Sequence, residues 1–174
     1  QPVAGAGMQR VMQMLQDREG SIWFATKGGG LAQLVPHALQ FASFRHDAGD
    51  PASLSASQPE AMAMASDGRL WVVGGRSAID RIDLASGTIE HWAPAELEHA
   101  YLWSLSQRGD GPLWVGYNKG VARIDVRTKK VQVWEQDSAR DAALSGPNDL
   151  IAQTPDGRVW ISSLGDGIQA RDGD

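Results

Sequence analysis

Apolar residues fall in short runs broken by glycine-bearing turns, the pattern of β-strands rather than of amphipathic helices. Four apolar runs, Val11 to Leu15, Ala61 to Ala65, Leu102 to Leu105 and Leu150 to Ala152, each lead into an acidic residue followed by glycine. Asp-Gly between two β-rich runs is a strong hairpin signal, because glycine supplies the positive φ of the turn. The run after each turn carries a tryptophan: Gly20-Ser21-Ile22-Trp23, Gly68-Arg69-Leu70-Trp71, Gly111-Pro112-Leu113-Trp114 and Gly157-Arg158-Val159-Trp160. A second glycine-containing turn precedes a third run, at Gly30 to Leu34, Ala78 to Ile82, Gly120 to Ile124 and Gly167 to Ala170. A fourth ends in an aromatic residue, Phe44, Trp92 or Trp134, 20 or 21 residues after the tryptophan. The pattern predicts four strands, a to d, in each copy.

The tryptophans are spaced by 48, 43 and 46 residues, a period of about 40–50 residues that belongs to propeller blades. A four-stranded meander cannot bury both faces alone, so neighbouring copies must stack, with the recurring tryptophan as filler between them. The expected architecture is all-β, a β-propeller of four four-stranded antiparallel blades. An N-terminal extension covers 1–10 and the blades lie at about 11–46, 59–93, 102–135 and 149–172, the last one incomplete. Ala63, Ser106 and Ala152, five residues before their turn glycines, suit the crowded axis; Leu15 is the exception. Three arrangements fit: a fragment of a larger propeller, which the missing fourth strand favours, a compact four-blade ring, or two chains completing a ring of about eight blades.

Composition narrows the partners. The chain has 174 residues, 42% of them hydrophobic, enough for a packed core. A net charge of −5 with scattered Lys and Arg argues against nucleic acid. There is no apolar run of about 18 residues, so no membrane insertion by this segment is expected. The absence of cysteine removes disulfides and thiolate metal sites.

Local chemistry is sparse. The Asp-Gly turns lack the spaced carboxylate array of a calcium loop, and Gly28-Gly29-Gly30 lacks the Lys-Ser/Thr and helix of a phosphate cradle. His37, His46, His91 and His99 show no metal-ligand spacing, and no nucleophile motif occurs. The carboxylate pairs Glu96 with Glu98 and Asp47 with Asp50 sit in polar linkers, where solvated charge is the ordinary role. No catalytic residue, metal or cofactor is expected. Meander geometry is more informative, since b–c turns and d–a linkers emerge on one face, where loops carry function. That face offers Lys27, Arg76, Tyr117, Asn118 and Lys119 from the b–c turns, with His99 and Tyr101 from the linker before the third blade. Arg76 and Lys119 suit a carboxylate; Tyr101 and Tyr117 suit stacking on a sugar ring.

The stretch from Asp17 to Leu31, with Gly20, Ile22, Trp23 and the Gly28-Gly29-Gly30 turn, resembles the two-component regulator propeller repeat, and the other copies agree. The Asp-rich linkers running into Leu54-Ser55 and Leu144-Ser145 are also typical of it. This resemblance implies a periplasmic ligand-sensing module of a membrane-bound bacterial signalling protein, whose output is a histidine kinase or a GGDEF diguanylate cyclase. The chain departs from the family in having four copies where about seven blades are usual. Its copies two to four also carry Gly74-Gly75, Gly116-Tyr117 and Ser162-Ser163 in place of Gly-Thr after the tryptophan. The ligand would be a saccharide or another small polar molecule, and the other partners further blades or a second protomer. A rival reading is an interaction or dimerisation scaffold with no small ligand, since unpaired terminal blades expose apolar faces. A propeller lyase or glycosidase would need convergent His, Tyr, Arg or carboxylate groups near the axis, and no such constellation shows; the chain reads as no enzyme.

Overall fold

The computed structural model describes residues 10–34, 41–76, 78–135, 148–163 and 167–173. Each tryptophan-bearing run forms the second strand of an antiparallel meander. Blade 1 comprises β1 (Val11–Gln16), β2 (Ile22–Thr26), β3 (Gly30–Leu34) and β4 (Phe41–Phe44). Blade 2 comprises β5 (Ala61–Met64), β6 (Leu70–Val73), β7 (Ile79–Ile82) and β8 (Ile89–Trp92). Blade 3 comprises β9 (Leu102–Gln107), β10 (Leu113–Tyr117), β11 (Gly120–Ile124) and β12 (Val131–Glu135). Blade 4 holds three strands among the described residues, β13 (Asn148–Gln153), β14 (Arg158–Ser163) and β15 (Gly167–Asp172). Sequence order and spatial order coincide in every sheet, and the first strands pack in series, β1 on β5, β5 on β9 and β9 on β13. This is the expected propeller, with three strands described in its last blade. The Leu144-Ser145 linker, His37 and residues 1–9 lie outside the described residues.

The hairpin turns follow their sequence signals, with one shift. Gly20, Gly68 and Gly157 adopt φ of 87°, 83° and 87°, a region glycine enters without a Cβ penalty. In blade 3 the left-handed residue is Gly109, φ 54°, rather than Gly111 of the Asp-Gly pair. Gly111 precedes Pro112, whose ring drives the preceding residue toward extended backbone, so the turn relocates its positive φ. In blade 1 the Asp17 carboxylate accepts hydrogen bonds from the Glu19 and Ser21 amides and from Trp23 Nε1, the last at 2.9 Å. This explains the Asp-x-x-Gly-x-Ile-Trp order: one side chain ties the turn to the indole.

Between blades, the tryptophan face of one sheet meets the aliphatic face of the next. Trp23 packs with Met62, Leu70, Val72 and Ile82. Trp71 lies with Leu105, Leu113, Val115 and Ile124, and Trp114 with Ile151, Val159 and Ile161. Trp71 Nε1 donates to Gln107 Oε1 at 2.8 Å, and the Arg81 guanidinium lies 4.9 Å above its ring. The outer aromatics extend these layers, Phe44 on Trp23 and Trp134 on Trp114, at centroid distances of 6.0 and 5.5 Å. The small residues Ala63, Ser106 and Ala152 pair directly with the tryptophans, which leaves room for the ring on that face.

The Asp-rich linker of blade 1 is fixed by its own side chains. Asp47 Oδ1 accepts from the Gly49 amide and Asp50 Oδ1 from the Ala52 amide, the geometry of Asx turns. His46 Nδ1 meets Leu54 O at 2.6 Å. Leu54 is buried between blades 1 and 2, and Ser55 is held by the buried carboxylate of Asp80, accepting its amide at 2.8 Å and its hydroxyl at 2.5 Å. The Leu-Ser pair is therefore an anchor, with an apolar plug followed by a polar latch.

Candidate ligand-binding face

The b–c turns and d–a linkers meet at one end of the blades. Glu60 N donates to Val73 O, Leu102 N to Gly75 O and Lys27 N to Arg10 O. At the junction of blades 2 and 3 the linker residue Tyr101 is gripped from both sides. It bridges Arg76 of the β6–β7 turn, and it exchanges hydrogen bonds with Asn118 of the β10–β11 turn, Tyr101 N to Asn118 Oδ1 at 2.9 Å and Asn118 N to Tyr101 O at 3.0 Å. Arg76, Tyr101 and Asn118 are thus brought together. Lys119 is exposed beside Asn118, and Lys27 is exposed on the separate turn of blade 1.

His99 sits at φ 64° in the turn after the 3₁₀ segment Ala95–Leu97, 83% exposed, with Nε2 3.7 Å from Glu98 Oε1. Leu97 is buried in the core beneath and pins that linker. The expectation for Tyr117 is corrected. It lies in β10 rather than in the turn, its ring is 1% exposed within the core between blades 2 and 3, and its hydroxyl donates to Glu135 Oε1 at 3.5 Å. A ring so covered cannot stack on a ligand; it is core.

Two further residues complete the patch. The Tyr101 hydroxyl donates to Glu60 Oε1 at 3.4 Å, and its ring packs on Trp103 with centroids 4.3 Å apart. Glu60 and Trp103 occupy the same repeat position, eight residues before the turn glycine, which Met12 and Asp149 hold in blades 1 and 4. At Met12, Trp103 and Asp149 the register of the first strand skips a residue. A β-bulge of this kind re-aims its extra side chain.

Both tyrosine hydroxyls are pushed above their ordinary value, first by burial, then by the charge of Glu60 at Tyr101 and of Glu135 at Tyr117, each also holding the proton by hydrogen bond. The folded state prefers the neutral phenols, so their contribution is complete below the free tyrosine value near 10 and is lost as pH rises through the folded values. Residues 101 and 117 are the only tyrosines in the chain. An alkaline titration followed by tyrosinate absorbance is expected to show both ionising later than free tyrosine, with stability falling from about pH 10 upward. Ionisation of either hydroxyl at the free value contradicts these contacts.

Other chemistry resolves into structure. Gly30, φ 78°, lies where a Cβ would meet Phe44 O at 2.1 Å, so the triple-glycine turn is a close backbone approach. Ser55, His91 and Asp80 cluster, but both contacts of the imidazole are made by Nδ1, 2.9 Å from Ser55 Oγ and 2.8 Å from Asp80 Oδ1. A hydroxyl-to-carboxylate relay needs both ring nitrogens, so this arrangement is a latch. Among the described residues no group of three metal-ligating side chains occurs. A cleft of 540 Å³ lies away from this candidate face, between Trp114 and Trp134 of blade 3 and the exposed edge of β15, with Arg158 at its wall.

Residues 6–28 match the family described as "Two component regulator propeller". No curated protein matches the chain in sequence. Among solved structures, the chain is similar to the extracellular domain assigned to the hybrid two-component system BT4673 of B. thetaiotaomicron, at 18% identity over 98% of this chain and 21% of that one, TM-score 0.71. It is similar to the corresponding domain of BT3049 from the same organism, at 20% identity over 96% and 28%, TM-score 0.66. Virginiamycin B lyase from Staphylococcus aureus has a similar fold, at 15% identity over 96% and 57%, TM-score 0.68. The chain therefore spans between a fifth and a third of the length of the two-component domains. Extracellular domains of two-component systems and a lyase share this fold, so the fold alone does not assign an activity. Over residues 6–28 the chain is similar to the two-component regulator propeller repeat, and the four meanders that share its tryptophan pattern form a β-propeller.

Proposed function

We propose that this chain is the ligand-sensing propeller segment of an extracytoplasmic, periplasmic sensor in a membrane-bound bacterial signalling protein, and that it passes a binding signal to a histidine kinase or GGDEF output rather than turning over a substrate. The observation that carries the reading is the loop-built patch of Arg76, Tyr101 and Asn118, in a fold whose first repeat is of two-component regulator type. The similarity to extracellular domains of two-component systems supports the same placement.

The patch suits a small polar ligand. Arg76 and Lys119 are exposed cations with no carboxylate at ion-pair distance among the described residues. Asn118 spends its carbonyl oxygen on the Tyr101 amide, which leaves its NH₂ group to donate outward. The Tyr101–Trp103 pair adds an aromatic surface of the kind that takes a sugar ring. A carboxylated saccharide combines these demands. To act as a signal, it must bind one arrangement of the blades better than another.

A thermal-shift screen of neutral and acidic saccharides, followed by calorimetry, tests the reading. An acidic sugar is expected to stabilise the chain, and Arg76→Ala to weaken its binding by roughly ten- to a hundredfold, the worth of one charge-assisted hydrogen bond. Lys130→Ala, in the β11–β12 turn at the opposite end of the blade, is expected to bind normally. No response to any sugar or carboxylate, or unchanged affinity in Arg76→Ala, removes the site.

A further inference from the structure

Blades 2 and 3 carry an arginine at the same position of their third strand, and only one of the two is neutralised. Arg81 pairs with Trp71 across β6 and β7, and Arg123 with Trp114 across β10 and β11. In blade 2 the guanidinium meets two carboxylates, Asp67 of the turn at Nη2 and its cross-strand neighbour Glu90 at Nη1. Blade 3 lacks both. Its cross-strand neighbour is Gln132, with Oε1 3.5 Å from Arg123 Nη1, and the counterpart of Asp67 is Asp110, whose carboxylate accepts from Ser66 of blade 2 instead. Among the described residues Arg123 has no carboxylate at ion-pair distance, and its Nε is buried without a hydrogen-bond partner.

This partly buried guanidinium opens on a cleft of 320 Å³ between the linker after blade 2 and the outer strands of blade 3. Lys130 and Glu96 stand at its wall, both exposed and without an ion pair among the described residues. Asp125 lines it too, fixed in place because its Oδ1 accepts from the Arg127 and Thr128 amides at 2.9 Å. Val131 supplies an apolar side. Two cations and two carboxylates leave the cleft formally neutral, which suits a ligand with charges of both signs better than a simple anion. We propose that it binds a small zwitterion of the amino-acid class, with the carboxylate on Arg123 beside Lys130 and the ammonium toward Glu96. A guanidinium takes a carboxylate by two parallel hydrogen bonds, and the volume lies at the lower end of small-molecule sites, which run from about 300 Å³. Every lining residue comes from blade 3 or from the linker before it, and none from the Arg76 patch.

Calorimetry of the 174-residue chain uses L-valine and 4-aminobutyrate as probes, which hold their charges close together and further apart. At least one is expected to bind, and butyrate and butylamine, with one charge each, to bind roughly tenfold more weakly or worse. Gln132→Glu gives Arg123 the partner that blade 2 has in Glu90, and is expected to weaken zwitterion binding by roughly tenfold or more while the melting temperature holds or rises. Arg123→Gln installs the residue that blade 1 carries at the aligned position, Gln33. It is expected to keep the parent's circular dichroism spectrum and to weaken binding by roughly ten- to a hundredfold. Arg76→Ala is expected to bind the zwitterion as the parent does. No binding of either zwitterion, butyrate bound as tightly as the zwitterions, unchanged affinity in Gln132→Glu, or loss of binding in Arg76→Ala overturns the proposal.

Discussion

Replacing Trp71 by alanine is expected to lower the unfolding free energy by about 3–5 kcal/mol, the cost of emptying a large aromatic site in a packed core. The indole is 1% exposed and touches the cores of two blades at once. It also anchors Gln107 by its ring nitrogen and carries Arg81 on its face. Burial of a tryptophan removes roughly 150–250 Å² from water, worth about 4–6 kcal/mol at 25 cal/mol/Å², so packing outweighs the single hydrogen bond. The matched substitution Trp160→Ala, at a blade 4 residue that is 38% exposed, is expected to cost less than about 1 kcal/mol. Urea titrations followed by circular dichroism compare the two. Equal losses at both sites contradict this dependence on burial.

Asp80→Ala is expected to cost about 2–4 kcal/mol, because this buried carboxylate receives three donors and the substitution strands them together. The donors are the Ser55 amide, the Ser55 hydroxyl and His91 Nδ1. The loss is expected to concentrate in the linker: hydrogen exchange at Ser55 should rise well before that of β6, whose bonds lie within the sheet. Uniform loosening of blade 2 contradicts the latch.

The strands were legible because each copy repeats the same local instructions, an acidic residue, a turn glycine and a tryptophan three residues on. The cluster of Arg76, Tyr101 and Asn118 at one end of the blades was legible too, since it follows from where a meander puts its turns. Tyr117 was misread by one residue, and in a strand one residue decides between rim and core. The Asp80 latch left no readable mark, because its contact spans 25 residues and the positions paired alike in the other blades hold Ala32, Ala122 and Gln169. The relocated glycine of blade 3 needed the effect of Pro112 to be weighed against the Asp-Gly signal.

Eight residues before the turn glycine, the register of strand a skips a residue in blades 1, 3 and 4, and in blade 2 the same position, Glu60, stands just before the strand. Met12, Glu60, Trp103 and Asp149 differ from copy to copy while the tryptophans stay constant, so under the proposed function a change of specificity at this position need not be repaid in stability. Duplication of one blade then supplies, around a single rim, a set of independently adjustable side chains on a scaffold that has already solved its folding problem.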